Sequence, residues 1–137
     1  MKIEIWSDFV CPFCYIGKAN LLQALHELNI NDAEIVWRSF ELDPSFPQSE
    51  NTSHYQLLQG KYQLDLQAAV DKCAQLSEIG RSCGLDMNFA QAYYGNTFLA
   101  HQLQQLAQAK SAQSAADINQ ALFQASFTLG LPLNQID

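Results

Sequence analysis

The 137-residue chain is predicted to be an α/β protein, with a strand–helix–strand unit over residues 1–44 and a helical region over residues 45–137. Two short β-type runs flank one helical pattern near the start, a proline-containing polar loop closes that unit, and the apolar patterns after the loop have helical spacing. The first run, KIEIW at residues 2–6, sets Ile3 and Ile5 against Lys2, Glu4 and Trp6 before a polar break at Ser7 and Asp8. From Pro12 to about Leu28, the positions Leu21, Leu22, Leu25 and Leu28 recur at helical spacing and NIND closes the segment, an amphipathic helix of about four or five turns. EIVWRSFEL at residues 34–42 has the β-branched and aromatic content of a second strand, and DPSFPQSENTS after it is a loop. A helix of this length between two strands is the crossover of a parallel pair, almost always right-handed.

The region that follows is expected to be helical. Leu66, Ala69, Val70, Cys73, Leu76, Gly80 and Cys83 fall on one stripe. Leu99, Leu103 and Leu106 form another, and Ile118, Leu122, Ala125 and Leu129 a third, reinforced by Phe123 and Phe127. GLDMNFAQAYYGN separates the first helix from the second, with Asn96 or Thr97 as N-cap, and Gly130 with Pro132 ends the third. The many glutamines are expected on solvated helix faces.

Composition excludes several partners. With 48% hydrophobic and 15% charged residues the chain can bury one ordinary core. A formal net charge of −7, with Lys and Arg scattered, argues against nucleic acid and anionic membranes. Neither a signal-peptide h-region nor a run long enough to span a bilayer is present, so a cytoplasmic location is expected. In that reducing setting, four cysteines point to redox catalysis or metal binding rather than a disulfide framework.

The cysteines that matter most are in SDFVCPFCYIG, at the junction of the first strand and its helix. Pro12 suits the first helical position, which makes Cys11 the N-cap. Its sulfur then lies where the free N–H groups of Phe13 and Cys14 point, and the positive helix end favours a thiolate, with a pKa of about 3.5 to 7.5 instead of ~8.5. Cys14, one turn in and more shielded, is placed to resolve a mixed disulfide formed at Cys11. The same spacing can supply two zinc ligands, with Cys73 and Cys83 as the other two, although those lie on an apolar stripe where a free cysteine packs as a small hydrophobe. Asp8, three residues before Cys11, either acts on the thiols as proton relay and electrostatic partner or simply forms the turn. His26 is read as a surface residue, His54 as a loop residue, and His101 either as a packed residue or as one that contacts a bound thiol.

Four segments in register, IWSDFVCPFCYIGK, SFELDP, NTFLAHQLQQLA and LFQASFTLG, resemble the DsbA-like thioredoxin superfamily. Within it they are most similar to the FrnE-like branch, which is associated with polyketide biosynthesis and described as dithiol–disulfide isomerases. The resemblance implies a thioredoxin-like βαβ unit with an α-helical insertion domain. It makes Cys11 the nucleophile and Cys14 the resolving cysteine, places Pro12 and Phe13 within the motif, and puts Asn96, Thr97 and His101 on the insertion over the site. Phe13 departs mildly from relatives that carry another aromatic residue there.

The implied activity is thiol–disulfide oxidoreductase or isomerase chemistry on protein or small-molecule thiols, with no cofactor beyond the cysteine pair and glutathione as a candidate co-substrate. A related branch performs glutathione-dependent isomerisation of aromatic compounds with serine in place of the nucleophilic cysteine; the intact Cys-Pro-Phe-Cys counts against that alternative. A zinc or partner-binding module is the other. Relatives continue into an antiparallel strand pair and a final helix, preceded by a cis-proline loop. This chain stops at LPLNQID. Pro12 begins a helix, Pro44 and Pro47 belong to the polar loop, and Pro132 follows a helix end, so no proline remains for the cis-proline position. The expectation is therefore a thioredoxin-like domain lacking its C-terminal strands and helix, which covers its exposed sheet edge by forming a homodimer.

Overall fold

A computed structural model describes residues 1–135. The first two strands, β1 (Lys2–Ser7) and β2 (Glu34–Ser39), pair in parallel, with Lys2 opposite Glu34 and Ser7 opposite Ser39. The helix α1 (Pro12–Glu27) connects them as the expected crossover. β2 ends at Ser39 rather than near Leu42. There the Phe40 N–H returns to the Ser7 carbonyl, and the Leu42 N–H is captured by the Asp8 carboxyl, so the chain turns away.

The second half holds three elements that the sequence reading does not contain. A three-residue strand, β3 (Asn51–Ser53), pairs antiparallel with β4 (Tyr93–Gly95), Thr52 lying opposite Tyr94. Three residues are too few for an alternating pattern to register. Directly after β3 comes α2 (His54–Tyr62), opened by a reciprocal cap in which the Ser53 Oγ accepts from the Gln56 N–H and the Gln56 side chain reaches back to the Ser53 N–H. His54 is thus the first residue of a helix, and it is buried.

The remaining helices are α3 (Leu66–Ser82), α4 (Phe98–Lys110) and α5 (Ala112–Phe127). Asp65 caps α3 by accepting from the Ala68 N–H at 2.7 Å. Ser111 ends α4 and caps α5, its Oγ accepting from Ser114 N–H at 3.0 Å. After α5 the chain reverses at Gly130 (φ 65°), where a Cβ would lie 2.7 Å from the Gln91 carbonyl oxygen. None of the described helices is long and apolar enough to cross a membrane.

One hydrophobic cluster draws from both halves of the chain: Phe9, Tyr15 and Ile16 from the first, Cys73, Met87, Phe89, Phe123 and Phe127 from the second. Tyr15 stacks on Phe123 at 4.9 Å, and Phe9 meets the same ring edge-on at 5.0 Å. Several leucine stripes face elsewhere. Leu22 and Leu28 of α1 are exposed, and the buried residues of that helix are Tyr15, Ile16 and Lys18. In α5 Phe123 and Phe127 are fully buried, whereas Leu129, just past its end, is exposed. In α4 Leu103 and Leu106 are exposed, and the buried face is Ala100, His101, Gln104 and Ala107.

That inversion in α4 has a cause in hydrogen bonding. Gln108 Oε1 accepts the Trp37 N–H at 2.9 Å, and Gln105 Nε2 donates to the Trp37 carbonyl at 3.0 Å and to Ser39 Oγ at 2.9 Å. Gln104 Nε2 donates to the Ala115 carbonyl at 3.1 Å. These glutamines are therefore not solvated; they satisfy backbone groups that would otherwise be buried unpaired. Phe123→Ala should lower stability by about 3–5 kcal/mol in urea unfolding, because it leaves a cavity against two aromatic rings. Leu106→Gln should change it by less than about 0.5 kcal/mol.

Candidate active site

The strand-to-helix junction after β1 is built by backbone bonds. The Cys11 N–H donates to the Asp8 carbonyl at 3.3 Å, and the Cys11 carbonyl accepts from Cys14 N–H at 3.1 Å and Tyr15 N–H at 3.4 Å. Cys11 is the N-cap of α1 in an extended conformation (φ −95°, ψ 112°), with Pro12 beginning the helix. Its sulfur lies over the N–H groups of Phe13 and Cys14 without closing a capping bond of good geometry.

Both thiols are half-buried, so greater shielding of Cys14 does not distinguish them. Hydrogen bonding does. The Cys14 thiol bonds to the Cys11 sulfur, which, with the two backbone N–H groups, holds the Cys11 thiol down to about 6 against the opposing effects of burial and of Asp8. The same bond, with burial, pushes the Cys14 thiol up strongly, although the Asp8 backbone N–H partly offsets this. One sulfur is thereby favoured as thiolate and the other as its proton donor.

Asp8 is only 1% exposed. Its Oδ1 accepts from the Phe9 N–H at 2.8 Å and faces His101 Nε2 at 3.1 Å, while Oδ2 accepts from the Leu42 N–H at 2.8 Å. His101 is buried against Phe9, ring centroids 5.0 Å apart. Asn96 and Thr97 are also buried. Asn96 Nδ2 donates to the Phe46 carbonyl at 2.8 Å and Oδ1 accepts from Phe98 N–H at 2.9 Å, so Asn96 does the capping at the start of α4. Thr97 occupies the N-cap position and its carbonyl accepts from His101 N–H at 3.0 Å. The resemblance implies that these three lie over the site; the structure turns them inward, where they brace Asp8 and the loop carrying Phe46. Phe13 points out, 64% exposed.

A cavity of about 840 Å³ opens beside Cys11, walled by Phe13, Phe46, Leu57, Cys73 and Tyr94. Burial, with Asp43, Asp8 and Cys11 nearby, pushes the Tyr94 phenol up to about 12, so it enters the wall as a neutral hydroxyl. Cys73, whose thiol burial pushes up to about 11, belongs to this wall, and Cys83 Sγ lies 3.2 Å from the Gly80 carbonyl. Among the described residues, no three His, Cys, Asp or Glu side chains gather as a metal-holding set. His54, Phe46 and Tyr94 are cavity residues that the sequence reading missed. The Ser-His-Tyr-Gln capping signature at residues 53–56 was the available signal for the helix that positions His54.

Comparison with known proteins gives three findings. A sequence-family model described as a DSBA-like thioredoxin domain matches residues 2–137. The uncharacterized protein YwbO of Bacillus subtilis (strain 168) is 44% identical over 45 residues, which is 33% of this chain and 21% of that protein. The crystal structure of a probable DsbA oxidoreductase from Streptomyces coelicolor matches with a TM-score of 0.89 at 31% identity, over 98% of this chain and 58% of its own. The chain thus spans less than two thirds of either relative.

The depressed Cys11 thiol has two measurable consequences. Iodoacetamide labelling of the reduced protein, located by peptide mapping, should rise with a midpoint near pH 6 at Cys11, while Cys14 and Cys73 stay largely unlabelled. Because the folded state releases this proton at lower pH than the unfolded chain, reduced protein should gain stability between about pH 6 and 9 and lose that gain on acidification through 6. Cys11→Ser should flatten this part of the pH–stability curve.

Proposed function

We propose, for a chain that belongs to the family of DSBA-like thioredoxin domains, that it exchanges thiols and disulfides through Cys11 and Cys14. The single observation that carries the reading is the placement of Cys11 as N-cap of α1, with Pro12 beginning the helix and Cys14 in its first turn, surroundings that hold the Cys11 thiol down to about 6. The likeness to a probable DsbA oxidoreductase at 31% identity supports the same chemistry.

In the reducing direction, the Cys11 thiolate attacks one sulfur of a substrate disulfide. The Cys11–substrate bond forms as the substrate S–S bond breaks, and the departing thiolate takes a proton from solvent. Cys14 then loses its proton, attacks the Cys11 sulfur and expels the second substrate thiol, leaving a Cys11–Cys14 disulfide and a substrate reduced by two electrons. The reverse sequence oxidises a dithiol, and shuffling between the two directions is isomerisation. Asp8 stands where its charge opposes a thiolate at either sulfur, which disfavours the charged dithiol and so favours the closed disulfide, in which neither sulfur carries charge. Pro12 starts the helix, and exposed Phe13 is the first side chain a substrate meets. Asn96, Thr97 and His101 act as positioning residues through Asp8 and the Phe46 loop.

The finer parts of the reading belong to the same proposal. They are a place in the FrnE-like branch, protein or small-molecule thiols as substrates, glutathione as co-substrate, a cytoplasmic setting, residues 45–137 as the insertion domain, and self-association along the outer edge of β1. Cys14→Ser should accumulate a mixed disulfide at Cys11 when the reduced protein meets glutathione disulfide, read by intact mass, because the intramolecular escape route is gone. Cys11→Ser should form none at residue 14 at pH 7. Turnover of disulfides by Cys14→Ser at the parent rate would remove Cys14 from the resolving role.

A further inference from the structure

The buried carboxyl of Asp8 has no lysine or arginine beside it. Among the described residues, neither residue type lies within ion-pair reach of that acid. The buried ammonium of Lys18 on α1 is tied instead to Gln120 Oε1 at 2.8 Å and lies over the Trp37 and Phe123 rings. The side chain that does reach Asp8 is His101, from 93 positions away, with Nε2 3.1 Å from Oδ1. That contact joins α4 to the junction from which both thiols start.

The hydrogen bonds fix which atom of the pair carries the proton. Oδ1 accepts from the Phe9 N–H and Oδ2 from the Leu42 N–H, each at 2.8 Å, the accepting pattern of a carboxylate. A lone pair on Nε2 would face that charge, so Nε2 donates to it. Nδ1 is buried with no partner among the described residues. A cationic ring would leave a charged N–H unbonded there, which costs more than the bare lone pair of a neutral ring. His101 is therefore neutral, protonated at Nε2, and supplies the third N–H that holds the acid in its charged form.

That charge acts on the dithiol. It opposes a thiolate at either sulfur, whereas the helix N-terminus and the Cys14 thiol favour one at Cys11. The other titratable groups around Asp8 are Cys11 and Cys14 of α1, Tyr94 of β4 and, near Tyr94, Asp43 of the turn after β2. Against the His101 ring lies Phe9, backed by Phe123 of α5, neither of which titrates. The reduced pair carries a thiolate and the disulfide carries none, so a fixed negative charge destabilises only the reduced state.

We propose that His101 is a positioning residue that makes the dithiol more reducing: its Nε2–H holds Asp8 as a charged carboxylate beside the two sulfurs, which raises the reduced pair in free energy. The proposal rests on the thiol-exchange reading and deepens it by assigning a shift toward the reducing direction. In that direction the Cys11–Cys14 bond forms as the substrate S–S bond breaks. The two substrate thiols leave with two electrons from the pair, their protons coming from Cys14 and from solvent.

The test equilibrates the protein at pH 7 with mixtures of glutathione and glutathione disulfide and reads the Cys11–Cys14 disulfide by intact mass after alkylation. The equilibrium constant for oxidation of the dithiol should fall about three- to tenfold in His101→Phe, the worth of one hydrogen bond. Iodoacetamide labelling of Cys11 in that variant should reach its midpoint at lower pH than in the parent, a change that loss of packing alone would not produce. His101→Gln, which keeps an N–H donor, should stay within about twofold of the parent constant. Asp8→Asn should lower the constant at least as far, and adding His101→Phe to it should change the constant by less than about twofold. Should a variant not fold, the imidazole nitrogen NMR shifts of the parent protein still decide the matter, since they should show a neutral ring protonated at Nε2. A constant that rises or stays put in folded His101→Phe, an equal fall in His101→Gln or in the Asp8→Asn background, or a ring protonated at Nδ1, would overturn the assignment while leaving thiol exchange standing. No Cys11–Cys14 disulfide in the parent protein at any glutathione ratio would overturn the exchange reading as well.

Discussion

The buried carboxyl group of Asp8 is the constraint on which the arrangement of the thiols depends. An acid so deeply buried is costly unless its oxygens are met, and three separate segments meet them: the chain after β1 through Phe9, the turn after β2 through Leu42, and α4 through His101. The same residue accepts the Cys11 N–H on its carbonyl and turns its own N–H toward the Cys14 sulfur. Displacing any of the three segments would therefore strand a polar group and also shift the start of α1, on which both sulfurs ride.

From that start the aromatic residues carry position into the rest of the molecule. Tyr15 stacks on Phe123 and packs near Phe127, Phe127 lies against His54, and His54 meets Tyr94, which in turn meets Phe46. The helix that carries the dithiol and the cavity wall opposite are thus parts of one packed set of rings. Dispersion and close packing make such a set resist gradual deformation, which suits a site whose two sulfurs must stay within bonding reach.

Much of this was legible where the code is local. The Ser7–Asp8 break, the Cys11–Pro12 start and the β-branched run at Glu34 marked β1, α1 and β2, because each acts through its own backbone. The two strands that escaped depend on distant partners. β3 and β4 exist because Thr52 meets Tyr94, forty-two positions away, and three residues carry no pattern of their own. In α4 the usual rule that leucines mark the buried face fails, since Gln105 and Gln108 turn inward to meet Trp37 and leave Leu103 and Leu106 outside. For His101 the sequence leaves packing and contact with a thiol both open, and only the fold shows that its ring lies 3.1 Å from the Asp8 carboxyl.

The inward glutamines of α4 also make the small sheet one-sided. Along β2 the outward N–H and carbonyl of Trp37 are already engaged, so an approaching strand would have to evict two side chains before it could form its first rung. β1 has no such guard among the described residues, and its second flank meets no strand there. Among the described residues the small sheet therefore has one flank guarded at Trp37 by amide side chains and one flank left open along β1.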